Sequence, residues 1–578
     1  MSAGRVLLVV DLEGVVGADS VPALVAGTRE YAQSCSTLTS EINAAVESLV
    51  GAGFAHVRVS DSHMSGSGAS NVLHESLHPA AELRFEEDWY SAAVFEEVQA
   101  VACLGMHAPG GVRGFAAHTV DPLGIWTCAG RLLSESELVL ALAAEAGLPA
   151  LFVSGDDTLQ AHLGGRVPFV RTKVSLSPTQ ASSRSSAEVL AELAHAARLP
   201  PTPQQPLSEA PLRLVFKSAR QAELAAEAGA RRVERYQVEV SGASFRERYQ
   251  QAMRAASAAS SVLGSSLRGP VGSPEFIEDA SALFLLSGPP VSPPPSRAEP
   301  AGLALQSFLR LTEGSDDESR ALRALTLHML EGHAPRFFTR WQLGPTLERA
   351  VEALAAVPRA LGPEVAPTLG MARVDAWYVR HVRGLEPSAP PDGELRRYLE
   401  SLDAEGFPLY AWLLGELAHA CGVDVRLPYP ERHLKDASRA ADLYWLTHLF
   451  LLDTHYLHRP LSDAHGPEWT EELLLAAPQL IAEGQVDLGA EVALCLQLAG
   501  EAQGGAHAAL LELIIRQQQP NGEVREAAPE SAQSDWEVAH TTAAALLALA
   551  GAESIDNIDN SGPTPPYSAP NTSPPRSK

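Results

Sequence analysis

Two carboxylates directly follow a hydrophobic run near the N-terminus. In the stretch RVLLVVDLEGVVG (5–17), five apolar residues are followed by Asp11 and, two positions later, by Glu13. Residues i and i+2 of a strand point to the same side, so both carboxylates should project together just past a strand end. They repel each other unless a proton or a cation lies between them. The alternative is a solvated strand end with a helix-capping role.

Three further apolar runs end in residues that could bind a metal. VRVSDSH ends at His63, VACLGMH ends at His107, and LFVSGDD ends at Asp156 and Asp157. The carboxyl ends of parallel strands meet at one edge of a sheet, where α/β proteins bind their ligands. We therefore expect these side chains near the two carboxylates of the first run. Carboxylate and imidazole ligands without thiolates suit Zn²⁺, Mn²⁺ or Co²⁺, and availability favours zinc.

The elements that position these residues are those of an α/β domain. Up to about residue 265, short apolar runs alternate with Ala-, Glu- and Leu-rich stretches, a pattern that predicts a mostly parallel sheet with crossover helices. The segment LSGPPVSPPPSRAEPAG (286–302) can neither continue a helix nor pair as a strand, which is typical of a linker. We therefore expect an N-terminal domain over 1–265 and a Pro/Ser/Gly-rich linker region over 266–302.

Residues 303–552 have the pattern of an all-helical domain with a weak internal repeat. In AEGFPLYAWLLGELAHACG and AEGQVDLGAEVALCLQLAG, two glycines stand the same sixteen residues apart, and HTTAAALLALAG is similar to their helical part. Recurring units of helix, glycine turn and helix predict an all-α repeat that resembles an α/α toroid. The Pro-, Ser- and Asn-rich tail 553–578 is expected to be disordered.

Composition and charge restrict the partners. A chain of 578 residues exceeds what one hydrophobic core usually organises. Its formal net charge of −27 argues against nucleic acid or an anionic membrane as a partner. No apolar window approaches the ~20 residues of a membrane span, and the N-terminal run is too short for a signal peptide. Five widely spaced cysteines form no CxxC pair, so we expect no Cys-type zinc site and a reducing cytoplasm.

Six stretches form one ordered pattern over residues 1 to about 260. They are VDLEGVVG (10–17), VSDSHMSGSGASN (59–71), LHPAAEL (77–83), CLGMHAPGGVRGFAAHTV (103–120), GRLLSESEL (130–138) and LPALFVSGDD (148–157). This pattern resembles the zinc-dependent D-aminopeptidases of the DppA type, a self-compartmentalising family of metallopeptidases. The resemblance does not extend past the linker. It implies a short-peptide substrate and a ring-shaped homo-oligomer.

The same resemblance implies a two-zinc site and a catalytic histidine. Five residues would bind the metals, with the first of them bridging the two ions: Asp11, Glu13, His63, His107 and Glu135. His118, in AAHTV, would be catalytic. A carboxylate between two cations offsets part of their repulsion, and a water held there loses a proton near neutral pH. A histidine eleven residues beyond a ligand, on a Gly-rich loop, can protonate the leaving amine or stabilise the tetrahedral intermediate.

The stretch CAGRLLSESEL departs from the family pattern around Glu135. The family usually carries Asn-Gly and, a few residues later, Gly-Glu, whereas this chain has Ala129 and Ser134 in place of the Asn and the second Gly. Glu137 is a nearby alternative to Glu135 as the fifth ligand. If these changes shift the start of the helix that carries Glu135, the second metal would bind weakly or not at all. The protein would then be a non-catalytic member that only binds peptides.

Three further residues near the strand ends have both a structural and a functional interpretation. Asp156 and Asp157 are expected to be structural, or to hold the far nitrogen of a ligand histidine. Lys173, in VRTKVSLSP, lies where the family carries a strand lysine. It would bind a substrate carboxylate or be an ordinary surface lysine.

The helical half carries two features of its own. In DLYWLTHLFLLDTHYLHRP (442–460), His448 and His455 are seven residues apart and His458 follows one turn later, near Asp453. This spacing fits a second metal or ligand site, or an amphipathic core helix with polar tips. RQQQPNGEV (516–524) is similar to Gln-rich turns of α/α toroids, without the acidic motif of an enzyme, which favours a binding or assembly role.

These observations predict a cytoplasmic dinuclear zinc metallopeptidase with a helical C-terminal domain. It would remove N-terminal residues, D-amino acids included, from short peptides by attack of a metal-bound hydroxide. Two alternatives remain open: a metal-dependent amidase of a biosynthetic pathway, and a non-catalytic peptide-binding or scaffold protein derived from the family.

Overall fold

The computed structural model consists of two compact units. It describes residues 4–63, 71–84, 92–261, 267–286, 298–314, 316–362, 365–385, 392–404, 407–429, 438–462, 466–526 and 533–556. Unit 1 comprises Met1–Ser292, Pro467–Gln479 and Gly504–Ala506. Unit 2 comprises Pro293–Gly466, Leu480–Gln503 and His507–Lys578.

Unit 1 is built on a seven-stranded sheet with the strand order β3-β2-β1-β4-β7-β8-β9. Neighbouring strands are parallel except for β8 and β9, which are antiparallel. The strands are β1 (Gly4–Val10), β2 (Phe54–Asp61), β3 (Ala81–Arg84), β4 (Ala100–Met106), β7 (Ala150–Asp156), β8 (Phe169–Ser177) and β9 (Gln180–Ser183). The mostly parallel sheet is confirmed, and β1, β2, β4 and β7 are the four strands whose ends carry the candidate ligands.

Helices cover both faces of this sheet. Leu7 and Val9 of β1 pack in one hydrophobic cluster, whereas Val6, Leu8 and Val10 pack in another. Burial on both faces explains why the strand is a continuous apolar run instead of an alternating one. The α-helices of this part of the chain are α1 (Arg29–Gly51), α2 (Glu135–Glu145), α3 (Asp157–Leu163), α4 (Ser186–Ala196), α5 (Ala219–Glu227), α6 (Phe245–Ser260) and α7 (Pro274–Leu286).

A second, antiparallel sheet was not predicted from the sequence. Its order is β11-β12-β10-β5-β6, formed by β5 (Ile125–Cys128), β6 (Arg131–Leu132), β10 (Leu212–Val215), β11 (Arg231–Glu234) and β12 (Gln237–Val240). None of these strands exceeds four residues, so their alternation is too short to be recognised by its period.

Helix α7 lies within the region 266–302, which was expected to be a linker. Its Ala280 and Phe284 are buried in a core cluster of unit 1, since the apolar side of the helix packs there. The Pro-rich stretch 287–297 lies outside the described residues, and the next helix begins at Ala298.

The described part of unit 2 is helical, as predicted for this half of the chain. Its α-helices are α8 (Ala298–Leu311), α9 (Asp317–His333), α10 (Pro335–Arg340), α11 (Gly344–Ala353), α12 (Pro367–Val382), α13 (Asp392–Ala404), α14 (Pro408–Ala420), α15 (Arg439–Asp453), α16 (Gly466–Glu483), α17 (Val486–Leu498), α18 (Gly505–Gln517) and α19 (Asp535–Asp556). Helix α16 contributes Pro467–Gln479 to unit 1. No helix of the described ranges combines the length and the hydrophobicity that a membrane span requires.

The glycine turns of the proposed repeat differ between its copies. Gly422 and Gly500 follow α14 and α17 with positive φ angles of 88° and 79°, a conformation that ends a helix. Gly551, by contrast, lies inside α19, which continues to Asp556. The rest of the tail, 557–578, lies outside the described residues, and the toroid-like repeat stays a prediction.

Candidate active site

The loop after β1 carries the first two carboxylates and is held against the end of β4. The N–H of Asp11 donates to the carbonyl of Leu104 over 2.9 Å, and the N–H of Gly14 donates to the carbonyl of Gly105 over 2.7 Å. A Cβ at position 14 would lie 2.1 Å from the carbonyl oxygen of Met106, so only glycine permits this approach. Strand β1 ends at Val10, so Asp11 and Glu13 lie in the loop beyond it. The i, i+2 rule for strands, from which their common direction was predicted, therefore does not apply to them.

Lys173 holds the same loop from the other side. Its side chain is fully buried, and Nζ donates to the carbonyl of Glu13 over 2.8 Å and to the carbonyl of Ala18. The ammonium also lies 3.5 Å from Asp19 and over the ring of Phe115. Lys173 is therefore not a surface lysine. Its ammonium group is also not directed to a substrate carboxylate, because it holds the backbone of the loop that carries Glu13.

His63, at the end of β2, joins the two carboxylates. Its Nδ1 lies 2.9 Å from Oε2 of Glu13 and 3.5 Å from Oδ1 of Asp11. Its Nε2–H donates to the carbonyl of Leu24 over 3.0 Å. That hydrogen bond fixes the orientation of the ring, so that Nδ1 faces the carboxylates.

His107, at the end of β4, faces the other oxygen of Asp11. Its Nε2 lies 3.3 Å from Oδ2 of Asp11 and 3.6 Å from Oε1 of Glu135, while Nδ1–H donates to the carbonyl of Ala108 over 3.0 Å. This Nε2 atom is buried and makes no hydrogen bond within the described ranges. A buried nitrogen without a hydrogen bond between two carboxylates fits a metal ligand, because such a polar atom otherwise finds a partner.

His118 completes the cluster from the Gly-rich loop after β4. Its Nδ1–H donates to the carbonyl of Ala116 over 2.8 Å, which leaves Nε2 3.6 Å from Oε1 of Glu135. The ring of His118 is stacked on that of His107 and touches the edge of the Phe284 ring, with the centroids 5.8 Å apart. Phe284 was missed from the sequence because α7 lies beyond the stretches that carry the family pattern.

The electrostatics of the cluster demand positive charge. Burial alone would raise the pKa of Asp11, but the adjacent imidazoles of His107 and His63 hold it well below its ordinary value. Burial likewise opposes a charge on His63 and His107, yet the surrounding carboxylates raise the pKa of both imidazoles well above the usual value. The carboxylates thus stabilise a positive charge at this place, whether a proton on the imidazoles or a metal cation carries it. Carboxylate and imidazole donors without a thiolate are the set that zinc accepts in catalytic sites.

The structure separates the roles of Glu135 and Glu137. Ser134 caps α2 by accepting the N–H of Glu137, whose carboxylate in turn accepts the N–H of Ser134. Glu137 also binds Arg131 at 2.8 Å and His162 at 2.7 Å. Burial would raise the pKa of Glu137, but these partners lower it to about 2. Glu135 instead lies in the cluster. Ser134 is therefore the N-cap of α2, and the helix begins at Glu135.

Ala129, the other departure from the family pattern, has a φ of 50°. This left-handed conformation suits asparagine better than alanine, which accounts for the residue usual at this position.

The remaining predicted residues lie around the cluster. Asp156 caps α3 through the N–H of Leu159 at 2.7 Å and accepts the N–H of Ala108 at 3.3 Å. Asp157 accepts the N–H of Ser175. Both are structural, and the far nitrogen of His107 bonds to a backbone carbonyl, not to Asp156.

All six predicted site residues thus come together at one edge of the sheet. Three overlapping groups have donor atoms within 4.8 Å of one another: Asp11, Glu13 and His63; Asp11, His107 and Glu135; Glu13, His107 and His118. Asp11 belongs to two of these groups. The histidines suggested in the helical half do not form such a site: His448 bonds to its own helix, and His455, beyond the end of α15, has a φ of 48°.

Residues 5–255 match the family model of the D-aminopeptidases, peptidase family M55. This part of the chain is thus similar to a family of peptidases, and the match covers residues 5–255 of the 578. Among solved structures, the chain matches the Zn-dependent D-aminopeptidase DppA from Bacillus subtilis, a self-compartmentalizing protease, with 22% identity and a TM-score of 0.40. That alignment covers 44% of this chain and 97% of the other. A search of curated protein sequences finds no match.

Proposed function

We propose that the α/β domain is a dinuclear zinc aminopeptidase that removes N-terminal residues, D-amino acids included, from short peptides. The observation that carries this proposal is the buried Nε2 of His107, which makes no hydrogen bond to any described residue and faces the carboxylates of Asp11 and Glu135. The peptidase family of residues 5–255 supports the reaction class.

The two oxygens of Asp11 suggest how the metals would be shared. Oδ1 faces His63, which also contacts Glu13, whereas Oδ2 faces His107, which also contacts Glu135. We propose that Asp11, Glu13 and His63 would hold one ion and that Asp11, His107 and Glu135 would hold the other, so that Asp11 would be shared between them. Zinc ions in such a site supply a Lewis acid that activates water and polarises the scissile carbonyl.

His118 is the proposed catalytic residue. Because Nδ1–H is committed to the carbonyl of Ala116, Nε2 is the atom available for proton transfer at the cluster. It can give a proton to the leaving amine or donate a hydrogen bond to a developing oxyanion. The side chain is 12% exposed, more than the buried ring of His107, so a substrate has access to it.

Assembly, location and the role of the helical unit are further parts of the proposal. Following the family resemblance, we propose a ring-type homo-oligomer that acts in the cytoplasm. All five cysteines are free thiols, which suits a reducing compartment. The helices of unit 2 would form the α/α repeat predicted from the sequence and control access of the substrate or assembly.

An assay on the full chain tests the proposal. Protein stripped of metal with a chelator and reconstituted with zinc should hydrolyse D-Ala-D-Ala and D-Ala-p-nitroanilide, and Asp11→Asn should abolish this activity. The exposed Asp424→Asn is the matched control and should leave it unchanged. Hydrolysis of L- but not D-peptides would contradict the D-aminopeptidase assignment. A protein that binds peptides but hydrolyses none after reconstitution would show a non-catalytic descendant.

A further inference from the structure

Unit 2 contains a cavity of its own, with a volume of about 460 Å³. This size is within the range of cavities that bind small organic molecules. Its walls are apolar and aromatic, with Met329, Met371 and Leu414 among the apolar residues and Tyr410 among the rings. Trp536, which is 40% exposed, lies at its solvent side.

The polar lining of this cavity is acidic. Neither lysine nor arginine is among the lining residues that the structure describes, and the only basic groups there are the imidazoles of His448 and His540. Six carboxylates line the same space: Glu318, Asp375, Asp487, Glu491, Glu526 and Glu537. An acidic enclosure with low-dielectric walls attracts cations and excludes anions.

Three of these groups form a compact arrangement in the cavity wall. Nδ1 of His540 lies 3.2 Å from Asp487, and its Nε2 lies 3.9 Å from Glu491. Tyr444 donates its hydroxyl to the other oxygen of Asp487 over 2.5 Å. Burial opposes a charge on His540, but the two carboxylates raise its pKa to about 9. The imidazolium therefore neutralises only part of the acidic charge.

Glu491 carries an oxygen without a hydrogen bond. The residue is 8% exposed, and Thr447 donates its hydroxyl to Oε2 over 2.5 Å. Oε1 has no hydrogen bond to any described residue and faces the cavity, with His540 too distant at 3.9 Å. This oxygen is open to a donor or a cation from the cavity, and burial raises the pKa of the Glu491 carboxyl, an effect that a bound cation would offset.

We propose that this cavity binds an organic amine with an apolar body. The ammonium group would bond to Oε1 of Glu491, and the apolar body would contact Met329, Met371 and the ring of Tyr410. Aromatic faces next to a carboxylate stabilise a bound cation. None of the residues that line this cavity belongs to residues 5–255.

A divalent metal fits the same cluster less well. The donor atoms of Asp487, Glu491 and His540 lie within 4.8 Å of one another, as an ion would require, but one oxygen of Asp487 already accepts from Tyr444 and one of Glu491 from Thr447. A single ion would also fill only a small part of a cavity of about 460 Å³, and it would make no favourable contact with the methionine and leucine walls. Size, shape and charge together therefore favour the organic cation.

Calorimetric titration of the full chain tests this proposal with probes of one shape and different charge. 4-Phenylbutylamine should bind, 4-phenylbutanol should bind at least about 10-fold more weakly, and 4-phenylbutyrate should show no binding, because the carboxylates favour the cation. Glu491→Gln should weaken amine binding by about 10-fold or more. Glu400→Gln, an exposed carboxylate of the same unit outside the cavity, is the matched control.

Two further variants separate the possible outcomes. Trp536→Ala, which removes a partly exposed ring that stacks on His540, should weaken binding of the amine several-fold. Asp11→Asn should leave amine binding unchanged, so that failure of the peptidase proposal does not affect this test. Equal affinity for the amine and the alcohol would overturn the proposal. Displacement of the amine by Mg²⁺ or Zn²⁺ in the Asp11→Asn protein, lost in Glu491→Gln, would also overturn it in favour of a metal site.

Discussion

His107 and His118 lie face to face, with ring centroids 4.0 Å apart and planes 6° from parallel. Each donates Nδ1–H to a backbone carbonyl, and each directs Nε2 to the same oxygen of Glu135, at 3.6 Å. The ring of His107 is fully buried, whereas that of His118 is 12% exposed. The pair therefore combines one fully buried imidazole with one that is partly open to solvent, which is the basis for the different roles that we propose for them.

Replacement of His118 by alanine should separate catalysis from metal binding. We expect kcat to fall by about 100-fold or more, since general acid–base groups contribute on this order. Zinc content, measured by mass spectrometry, should be unchanged. The exposed His56→Ala on β2 provides the control. Retention of near-normal activity would remove His118 from the mechanism.

Glu135→Gln should lower the zinc content, whereas Glu137→Gln should lower the stability of the protein. Glu135 faces both histidines, so its neutral isostere should lose about half of the bound zinc. Glu137 instead neutralises Arg131 and His162, so Glu137→Gln should lower the free energy of unfolding by about 1–3 kcal/mol with the metal retained. Metal analysis together with thermal unfolding distinguishes them. Loss of zinc only in Glu137→Gln would reverse the assignment.

Gly14→Ala should damage the site through the backbone. The added Cβ would lie 2.1 Å from the carbonyl oxygen of Met106, so the loop that carries Asp11 must move. We expect a loss of about 1–3 kcal/mol in stability and a lower zinc content. Gly51→Ala, in helix α1 with no atom within 4 Å of the added Cβ, should leave the zinc content unchanged and should not lower the stability. A Gly14→Ala protein with normal metal content would show that the loop tolerates displacement.

The sequence predicted the main sheet and its ligand edge because both depend on local patterns. The apolar runs of β1, β2, β4 and β7 are long and buried on both faces, and each is followed within a few positions by a polar residue. Parallel pairing then brings their ends to one edge. The short antiparallel strands carried no comparable pattern.

Contacts between residues far apart in the sequence could not be predicted from such local patterns. Lys173 reaches the carbonyl of Glu13, 160 positions away, and a lysine in a strand gives no local sign of such burial. Phe284 reaches His118 from a region whose proline content suggested a linker. Glu135 could be separated from Glu137 only through the partners that Glu137 finds, among them His162 on another helix.

Glu41 should make the stability of the protein depend on pH. It is fully buried, with Oε1 accepting the N–H of Val16 at 3.0 Å, and burial raises its pKa to about 7 despite this bond and the charge of Lys173. The folded chain thus holds a proton that the unfolded chain releases above about pH 4.5, so the free energy of unfolding falls as pH rises through this window.

Glu41→Gln removes that titration. Relative to the wild type, we expect the variant to gain stability as pH rises from about 4.5 to above 7, by on the order of 2–3 kcal/mol. Denaturant unfolding at several pH values measures the difference, and the exposed Glu47→Gln on the same helix is the control. A difference that does not change with pH would show that Glu41 titrates normally.

Diffraction from zinc-loaded crystals at the zinc absorption edge tests the two-ion site most directly. We expect two anomalous peaks, one next to Asp11, Glu13 and His63 and the other next to Asp11, His107 and Glu135. Absence of both peaks, or zinc bound only at positions that Asp11 does not touch, would contradict it.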